Sequence, residues 1–326
     1  MRVSDTNYTL LLVAEDGQVY DISSFAEDLG WEENVKELAT TISFTVVTSN
    51  EELISILNIG CVVAVLTDDI ERARGRINKV KVKVSGSREV RTVTAYDELF
   101  CLKTSEDQLY FSAGQSTKAI LSQIFGDWGV PLGEYTGADV THEKLVYRTG
   151  TLADTIMDIL DDAYKKGGPK TILRASQGKI DVVKRGGNEE VYEFDENDTV
   201  SAEQEVSIAN LVTRVKVLGQ TDDKDGVPPV EATADGLTQF GIRQKIYVRD
   251  KDTTEAEAKE AVMQIFEDEG KVSMTQSLVA PDVPELRKGH VIYVNIGELS
   301  DYYYVTGIRH DASSGTMTVD FIQRES

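Results

Sequence analysis

The chain has 326 residues, too many for one ordinary hydrophobic core, so we expect two or three domains. Hydrophobic residues make up 40% and charged residues 28%, a composition typical of soluble folded proteins that excludes a largely disordered chain. With 34 basic and 56 acidic residues, the formal charge of -22 argues against general nucleic-acid binding.

Membrane insertion and secretion are not expected. The longest apolar run, residues 61–66, is too short to span a bilayer, and the N-terminal stretch lacks the charged and apolar segments of a signal peptide. The only two cysteines, Cys61 and Cys101, lie in apolar, strand-like surroundings. We interpret them as buried thiols in a reducing compartment, with a disulfide as the alternative, and expect the protein to fold in cytoplasm.

Strand signals dominate the first hundred residues. Residues 8–14 and 18–22 flank Asp16-Gly17, a pair that favours the tight turn of a β-hairpin. Residues 78–85 alternate valine with lysine, the period of two that a half-buried strand requires. Further strands are predicted at 41–48 and 61–67.

Helices appear in the middle of the chain. Residues 116–125 form one, with Ser116 as the N-cap and Gly126 as its end. A second helix, 151–166, carries an apolar stripe and stops at Gly167-Gly168. With short strands at 171–175 and 180–184, this region is predicted to be a small α+β module.

The last third returns to strands, with one helix among them. Residues 255–269 follow a capping box made by Thr254 and Glu257, and the apolar stripe of this helix needs a sheet or barrel to pack against. Strands are predicted at 211–218, 230–233, 242–248, 271–278, 291–296, 302–310 and 316–323.

These elements predict an α+β fold that is mostly β. Two antiparallel β-domains, each a barrel or a sandwich, enclose the small α+β module. The predicted domains are residues 1–97, residues 98–200, and residues 201–326 with the packed helix at 255–269.

Motifs for catalysis, cofactors or metals are missing. His142, His290 and His310 are far apart and lack partners at metal-ligand spacing, so we interpret them as satisfied core or surface histidines. Gly167-Gly168 follows a helix instead of opening one, so it does not predict a phosphate loop. We predict no catalytic, cofactor-binding or metal-binding residues.

One pair of carboxylates keeps an enzymatic alternative open. Glu298 and Asp301 lie beside three tyrosines, 302–304, and a glycosidase needs one acid in an apolar pocket. The alternative function is therefore that of a cell-wall glycan-degrading enzyme. We favour a structural role because the tyrosines fit a strand.

A basic stretch between residues 72 and 91 opposes the global charge, with Glu89 as its sole acid. It is a candidate contact face for the acidic surface of an identical subunit. A solvated strand face whose lysines prevent edge pairing is the interpretation that ranks ahead of this contact, and nucleic-acid contact, which would lack interleaved aromatic residues, ranks third. The candidate contact residues are Arg74, Arg76, Lys79, Lys81 and Lys83.

Residues 221–229, TDDKDGVPP, begin like a calcium loop. With Gly226 in its sixth position, Thr221 and Ala232 fill the first and twelfth positions, so two required carboxylate ligands are missing. We interpret the stretch as an acidic hairpin loop between two strands, with a calcium-stabilised adhesion module as the alternative. The acids concerned are Asp222, Asp223 and Asp225.

Several short motifs, none of which identifies a family by itself, occur in a characteristic order along the chain. They are ISFTV (42–46), TAYDEL (94–99), GQSTKAI (114–120), IANLVTRVKV (208–217), LRKGHVI (286–292), YYYVTGIRH (302–310) and TMTVDF (316–321). Over most of its length the chain resembles the XkdQ/YqbQ-type tail hub (baseplate hub) proteins of contractile phage tails, prophages and phage-tail-like bacteriocins (tailocins). It departs from them at Phe240-Gly241, where the family usually has Tyr-Gly.

The resemblance implies a homotrimeric ring at the tip of the tail tube, joining it to the central spike. Each subunit would offer two tube-like β-domains to a sixfold tube, with Asp222, Asp223 and Asp225 at the rim. The implied partners are the tail tube protein, the central spike, the tape-measure protein and the baseplate wedge, with at most passive passage of DNA. Unlike hub–lysozyme fusions, this chain is expected to carry no lytic extension after Ser326, so a cell-wall activity is not carried over from the family. The implied locations are the bacterial host cytoplasm during assembly and the baseplate of the mature virion or tailocin.

Overall fold

The computed structural model describes residues 7–85, 88–220, 226–250 and 253–324. Strands are the main secondary structure, and five helices accompany them in these ranges. The chain divides into two compact units, a larger one made of Met1–Ala202 with Ser277–Ser326 and a smaller one made of Glu203–Gln276.

The larger unit begins with an antiparallel β-segment. Its strands pair in the order β3-β4-β7-β6-β5-β1-β2. Every second residue along these strands faces the core, and Leu12, Phe44 and Val93 are examples that are fully buried there. The elements are β1 (Tyr8–Val13), β2 (Val19–Asp21), β3 (Ala26–Asn34), β4 (Thr41–Thr48), α1 (Glu51–Ile56), β5 (Val62–Thr67), β6 (Ile70–Ser85) and β7 (Arg88–Tyr96).

An α+β module follows in the same unit. Ser116 and Thr151 cap its two longer helices by accepting hydrogen bonds from backbone N–H groups in the first turns. These helices share one buried core with the three-stranded sheet β11-β12-β9. The elements are α2 (Leu99–Thr104), β8 (Leu109–Phe111), α3 (Thr117–Asp127), β9 (Leu132–Tyr135), β10 (Leu145–Tyr147), α4 (Leu152–Lys165), β11 (Thr171–Ser176) and β12 (Lys179–Lys184).

The smaller unit is a three-stranded sheet with a helix on one face. After β13 (Tyr192–Asp195) and β14 (Ser201–Ser207) come β15 (Arg214–Leu218), β16 (Val230–Asp235), β17 (Gln244–Val248) and α5 (Glu255–Glu269). Central β15 pairs antiparallel with β16 and parallel with β17. Val262 of α5 lies in a small core with Val215 and Val217.

The chain then returns to the larger unit. The last strands are β18 (Ser273–Pro281), β19 (Val291–Ile296), β20 (Leu299–Asp311) and β21 (Thr316–Gln323). Their core contains Ile292, Val305 and Phe321, and β13 pairs with β19 in parallel.

The first and last β-segments belong to one sheet because β20 pairs with β3, from Gly307 opposite Asn34 to Asp311 opposite Gly30. A Cβ at Gly30 would lie 2.8 Å from the carbonyl oxygen of His310, so this close approach requires glycine. Among the described strands the sheet runs openly from β14 to β2 and forms no closed barrel.

The mostly-β α+β fold, the hairpin at Asp16-Gly17 and the three predicted helices are confirmed. Gly126 was wrongly predicted to end its helix: the helix continues through Asp127, and Gly129, with a φ of 68°, follows its end instead. The 255–269 helix packs on the sheet of the smaller unit. The three-domain division stays a prediction.

Candidate subunit-contact surface and its surroundings

The basic run lies on β6, a strand that changes partner halfway along its length. Residues 70–76 pair with β5, and residues 76–85 pair with β7 on the other side. After Ile77, which exchanges backbone hydrogen bonds with Gly60 and Cys61, no described strand lies beside residues 79–85 on the β5 side. Residues 79–85 therefore form an open sheet edge.

The five candidate contact residues fall into two groups. Lys79, Lys81 and Lys83 are exposed along the open edge, and none forms an ion pair within the described residues. Arg74 lies 3.3 Å from Glu71, and Arg76 donates a hydrogen bond of 2.6 Å to a backbone carbonyl. The structure thus sets the three lysines in one exposed row, while the arginines are engaged locally. The subunit contact itself stays a prediction.

The valines between these lysines were predicted to be buried on their face of the strand. Val80 is half-buried, but Val82 is 48% and Val84 is 66% exposed, so the prediction is wrong for these two. Helix α1 covers the neighbouring strand, where Arg91 of β7 donates to the carbonyl of Ile54 at 3.2 Å. Val82 and Val84, one strand further out, stay uncovered.

The acidic loop falls largely outside the described residues, which omit Thr221–Asp225 and with them Asp222, Asp223 and Asp225. The strands on either side of it, β15 and β16, are antiparallel neighbours, as a hairpin requires. Across the described ranges, no three His, Cys, Asp or Glu side chains are grouped to hold a metal ion. The rim position and the calcium alternative both stay untested predictions.

Glu298 and Asp301 lie at the β19–β20 turn, where Glu298 is exposed. The Tyr302 backbone N–H and the Gln323 side chain donate to the Asp301 carboxylate and hold its pKa below the usual range. A glycosidase acid needs the opposite shift. The geometry gives the enzymatic alternative no support.

All three histidines are satisfied by hydrogen bonds, as predicted. His142 lies between Thr117 and Asp162, at 2.8 and 2.7 Å. His310 contacts Asp282 at 2.6 Å and stacks on Trp31 with ring centroids 4.4 Å apart.

A buried group of charges, which we call the junction cluster, was not predicted. It consists of Glu33, Asp97, Arg174, Arg287, Lys288 and His290. Lys288 is only 1% exposed, and its Nζ donates to the carbonyl oxygen of Leu38. Arg287 Nε donates to Glu33 at 2.8 Å, and Arg174 Nε donates to the carbonyl of Lys288 at 2.9 Å. The cluster ties β3, β11 and the segment before β19 together.

Burial and neighbouring charges shift the pKa values of this cluster. Burial alone would raise the pKa of Glu33, but Arg287 and Lys288 outweigh it and lower the pKa to about 2. Burial lowers the pKa of Lys288 to about 8. For His290, burial, Arg174 and Arg287 all act in one direction and lower the pKa to about 3. Burial raises the pKa of Asp97 to about 6.

The junction cluster has no clear signal in the amino-acid sequence. Arg287 and Lys288 stand between two strands, where paired basic residues normally indicate an exposed turn. Their partner Glu33 lies in β3, a largely polar strand that was not predicted. Burial of opposite charges from distant segments is a property of the tertiary structure, with no periodic signal along the chain.

No helix among the described residues is long and apolar enough to cross a membrane. Both cysteines are free, with Cys61 buried and Cys101 partly buried.

A family model described as YQBQ-like matches residues 29–322. No curated protein matches the chain. Among solved structures, the 43 kDa tail protein of prophage MuSo2 from Shewanella oneidensis is similar, with a TM-score of 0.73, 14% identity, and coverage of 97% of this chain and 98% of that one. A tail protein from Neisseria meningitidis MC58 has a TM-score of 0.67, 14% identity, and coverage of 97% and 96%.

The E. coli c3393 protein, a component of the type VI secretion system, is also similar in fold. Its TM-score is 0.54 at 10% identity, with coverage of all of this chain and 76% of that one. At these identities the structural likeness establishes the fold alone.

Proposed function

Because the chain belongs to the YQBQ-like family, we propose that it is a structural hub protein that joins the tail tube of a contractile phage tail or tailocin to the central spike. The observation that carries the proposal is the fold likeness to two tail proteins, one of them from a prophage, which extends over nearly the whole length of both chains in each comparison. A fold likeness confined to a single domain would give the proposal much weaker support.

The proposed mechanism is geometric and involves no reaction. The two β-segments of the larger unit, joined through β3 and β20, would be the two tube-like parts of one subunit. Three subunits would then present six such parts to a sixfold tube, which favours a homotrimer. The net charge of -22 would let DNA pass through the ring without adhesion.

The proposed partners are the tail tube protein above the ring, the central spike below it, and the wedge and tape-measure proteins. Support comes from fold likeness to chains in structures of a PdpA–VgrG complex and to a type VI secretion component. The protein would assemble in the bacterial host cytoplasm and remain in the baseplate.

Native mass spectrometry of the purified protein at micromolar concentration tests the ring. We expect a predominant mass of three chains. A strict monomer across the concentration series would contradict the proposal.

Electron microscopy of native particles tests the position of the protein. A small tag in the exposed turn Ser313-Ser314, between β20 and β21, should appear at the junction of tube and spike. Untagged particles are the control, and a tag found along the tube or on fibres would reject the hub position.

A further inference from the structure

The open edge of β6 has two different faces. Residues directly opposite each other in an antiparallel pair share a face, and Val80, opposite buried Val93, marks the core face. Val82 and Val84 continue that face outward and remain exposed. The three lysines, at alternate positions, lie on the outer face. This edge therefore offers unpaired backbone groups, an apolar strip and a row of positive charge.

The described residues contain one edge with the matching pattern. Strand β14 lies at the end of the large sheet and pairs only with β18. Glu203 and Glu205 are exposed and form no ion pair among the described residues. The Gln276 side chain of β18 donates to Gln204 at 3.2 Å, which places Gln204 on the same sheet face as Gln276 and the two glutamates on the opposite face.

The two edges are complementary in charge and in spacing. Glu203 and Glu205 are two residues apart, as are Lys81 and Lys83, so the repeat of two matches in either strand direction. On the other face, Val206 is 57% exposed and would extend the strip of Val82 and Val84.

Other edges fit less well. On β16, Glu231 is already paired with Arg249 at 2.6 Å, and Asp235 is paired with Arg214. On β13, the carboxylate of Asp195 accepts the backbone N–H of Asn197. Three of the four carboxylates on these two strands therefore have partners, and Glu193 of β13 is a single exposed acid, whereas β14 offers two exposed acids on one face.

We propose that the β6 edge of one copy of this chain pairs with β14 of a second copy and continues the sheet from one subunit to the next. Lys81 and Lys83 then lie beside Glu203 and Glu205 on the outer face. The proposal rests on the proposed ring and names the strands that close it. Because the two strands differ, the contact is head-to-tail, the type of interface that generates cyclic rings.

Reversing the charges tests this pairing. In sedimentation equilibrium, Lys81→Glu with Lys83→Glu should raise the dissociation constant at least about tenfold, since attractive cross-strand pairs become repulsive. Glu203→Lys with Glu205→Lys should do the same. The chain carrying all four changes should recover to within about threefold of the unmodified protein, because each pair is restored in reverse.

A matched control separates this local effect from added net charge. Lys144→Glu with Lys179→Glu changes the charge equally at exposed lysines without ion pairs, and it should shift the constant by less than about threefold. Circular dichroism checks that each variant is folded.

Carboxyl–amine cross-linking provides a measurement that needs no variant. In oligomers mixed from light- and heavy-nitrogen copies, peptides containing Lys81 or Lys83 should be joined to Glu203 or Glu205 peptides of the other isotope. An oligomer that survives both charge reversals without these cross-links would overturn the pairing and leave the ring intact. The lysines would then be protectors of a free edge. A monomeric unmodified protein would reject the ring and the pairing together.

Discussion

At the scale of single residues, the junction cluster is where stability depends most on individual side chains. Glu33 and Lys288 are buried and Arg287 is partly buried beside them, and the Glu33 carboxylate offsets the desolvation of the two basic side chains. Replacing one member would leave an uncompensated buried charge, which typically costs several kcal/mol. The cluster therefore holds the first β-segment, the α+β module and the last strands together in a fixed arrangement.

The depressed pKa of His290 predicts a loss of stability in acid. Its folded value of about 3 lies below the ordinary 6.5, so the unfolded chain binds a proton that the folded chain excludes. The contribution of neutral His290 to the free energy of unfolding is complete above pH 6.5. It is lost as the pH falls toward 3, at roughly 1.4 kcal/mol per pH unit. Asp97, whose pKa is raised, opposes it between pH 6 and 3.8.

His290→Gln isolates this effect because it removes the titrating ring and retains an acceptor for Arg174. We expect the difference in unfolding free energy between the original protein and the variant to shrink by about 3 kcal/mol between pH 7 and pH 4. Urea titrations at the two values measure it, and Asp97 cancels because both proteins contain it. If the two proteins differed in unfolding free energy by the same amount at both pH values, the pKa of His290 would not be lowered in the folded protein.

At the scale of elements, helix α5 illustrates local sequence control. Thr254 accepts a hydrogen bond from the Glu257 backbone N–H, and Glu257 accepts one from the Thr254 backbone N–H. This reciprocal capping fixes where the helix begins.

Thr254→Ala should lower the stability of the smaller unit by about 1 kcal/mol, since it leaves a first-turn N–H without its partner. Hydrogen exchange of the α5 amides measures the loss. Thr254→Ser keeps the hydroxyl and serves as the control. Faster exchange in β4 and β7 as well would contradict a local effect.

Elements with strong local signals were predictable, and those without them were not. The caps Ser116 and Thr254 and the apolar stripe of residues 151–166 located three helices, and β-rich runs located most of the later strands. Strand β3 was missed because AEDLGWEEN is largely polar and the left-handed Asp28 interrupts its alternation. The lysine row could be predicted from spacing alone, but exposure of Val82 and Val84 depends on where β5 and α1 end.

At the scale of the whole molecule, the two units differ in how much apolar surface they bury. The core of the smaller unit contains Val215, Val217 and Val262 as its fully buried members, whereas the larger unit has three extensive cores. Stability within a chain follows such differences in burial. The units should therefore unfold in separate steps.

We predict that the smaller unit unfolds first. In hydrogen exchange at increasing denaturant, amides of β15 and α5 should lose protection before those of β4, β7 and β20. Both sets of amides belong to one chain, so a single experiment compares them and no truncated variant is needed. A single cooperative loss of protection would refute the prediction.

The pairing of β3 with β20 also has a consequence in time. During synthesis, β3 leaves the ribosome well before β20, because most of the other strands lie between them in sequence. Until then β3 keeps one edge without its partner, and pairing across so much intervening chain is intrinsically slow. During this interval the nascent protein contains an incomplete β-sheet. Its unpaired strand edge can form non-native pairs with other strands. Timely synthesis of β20 is thus a condition for a correctly folded subunit.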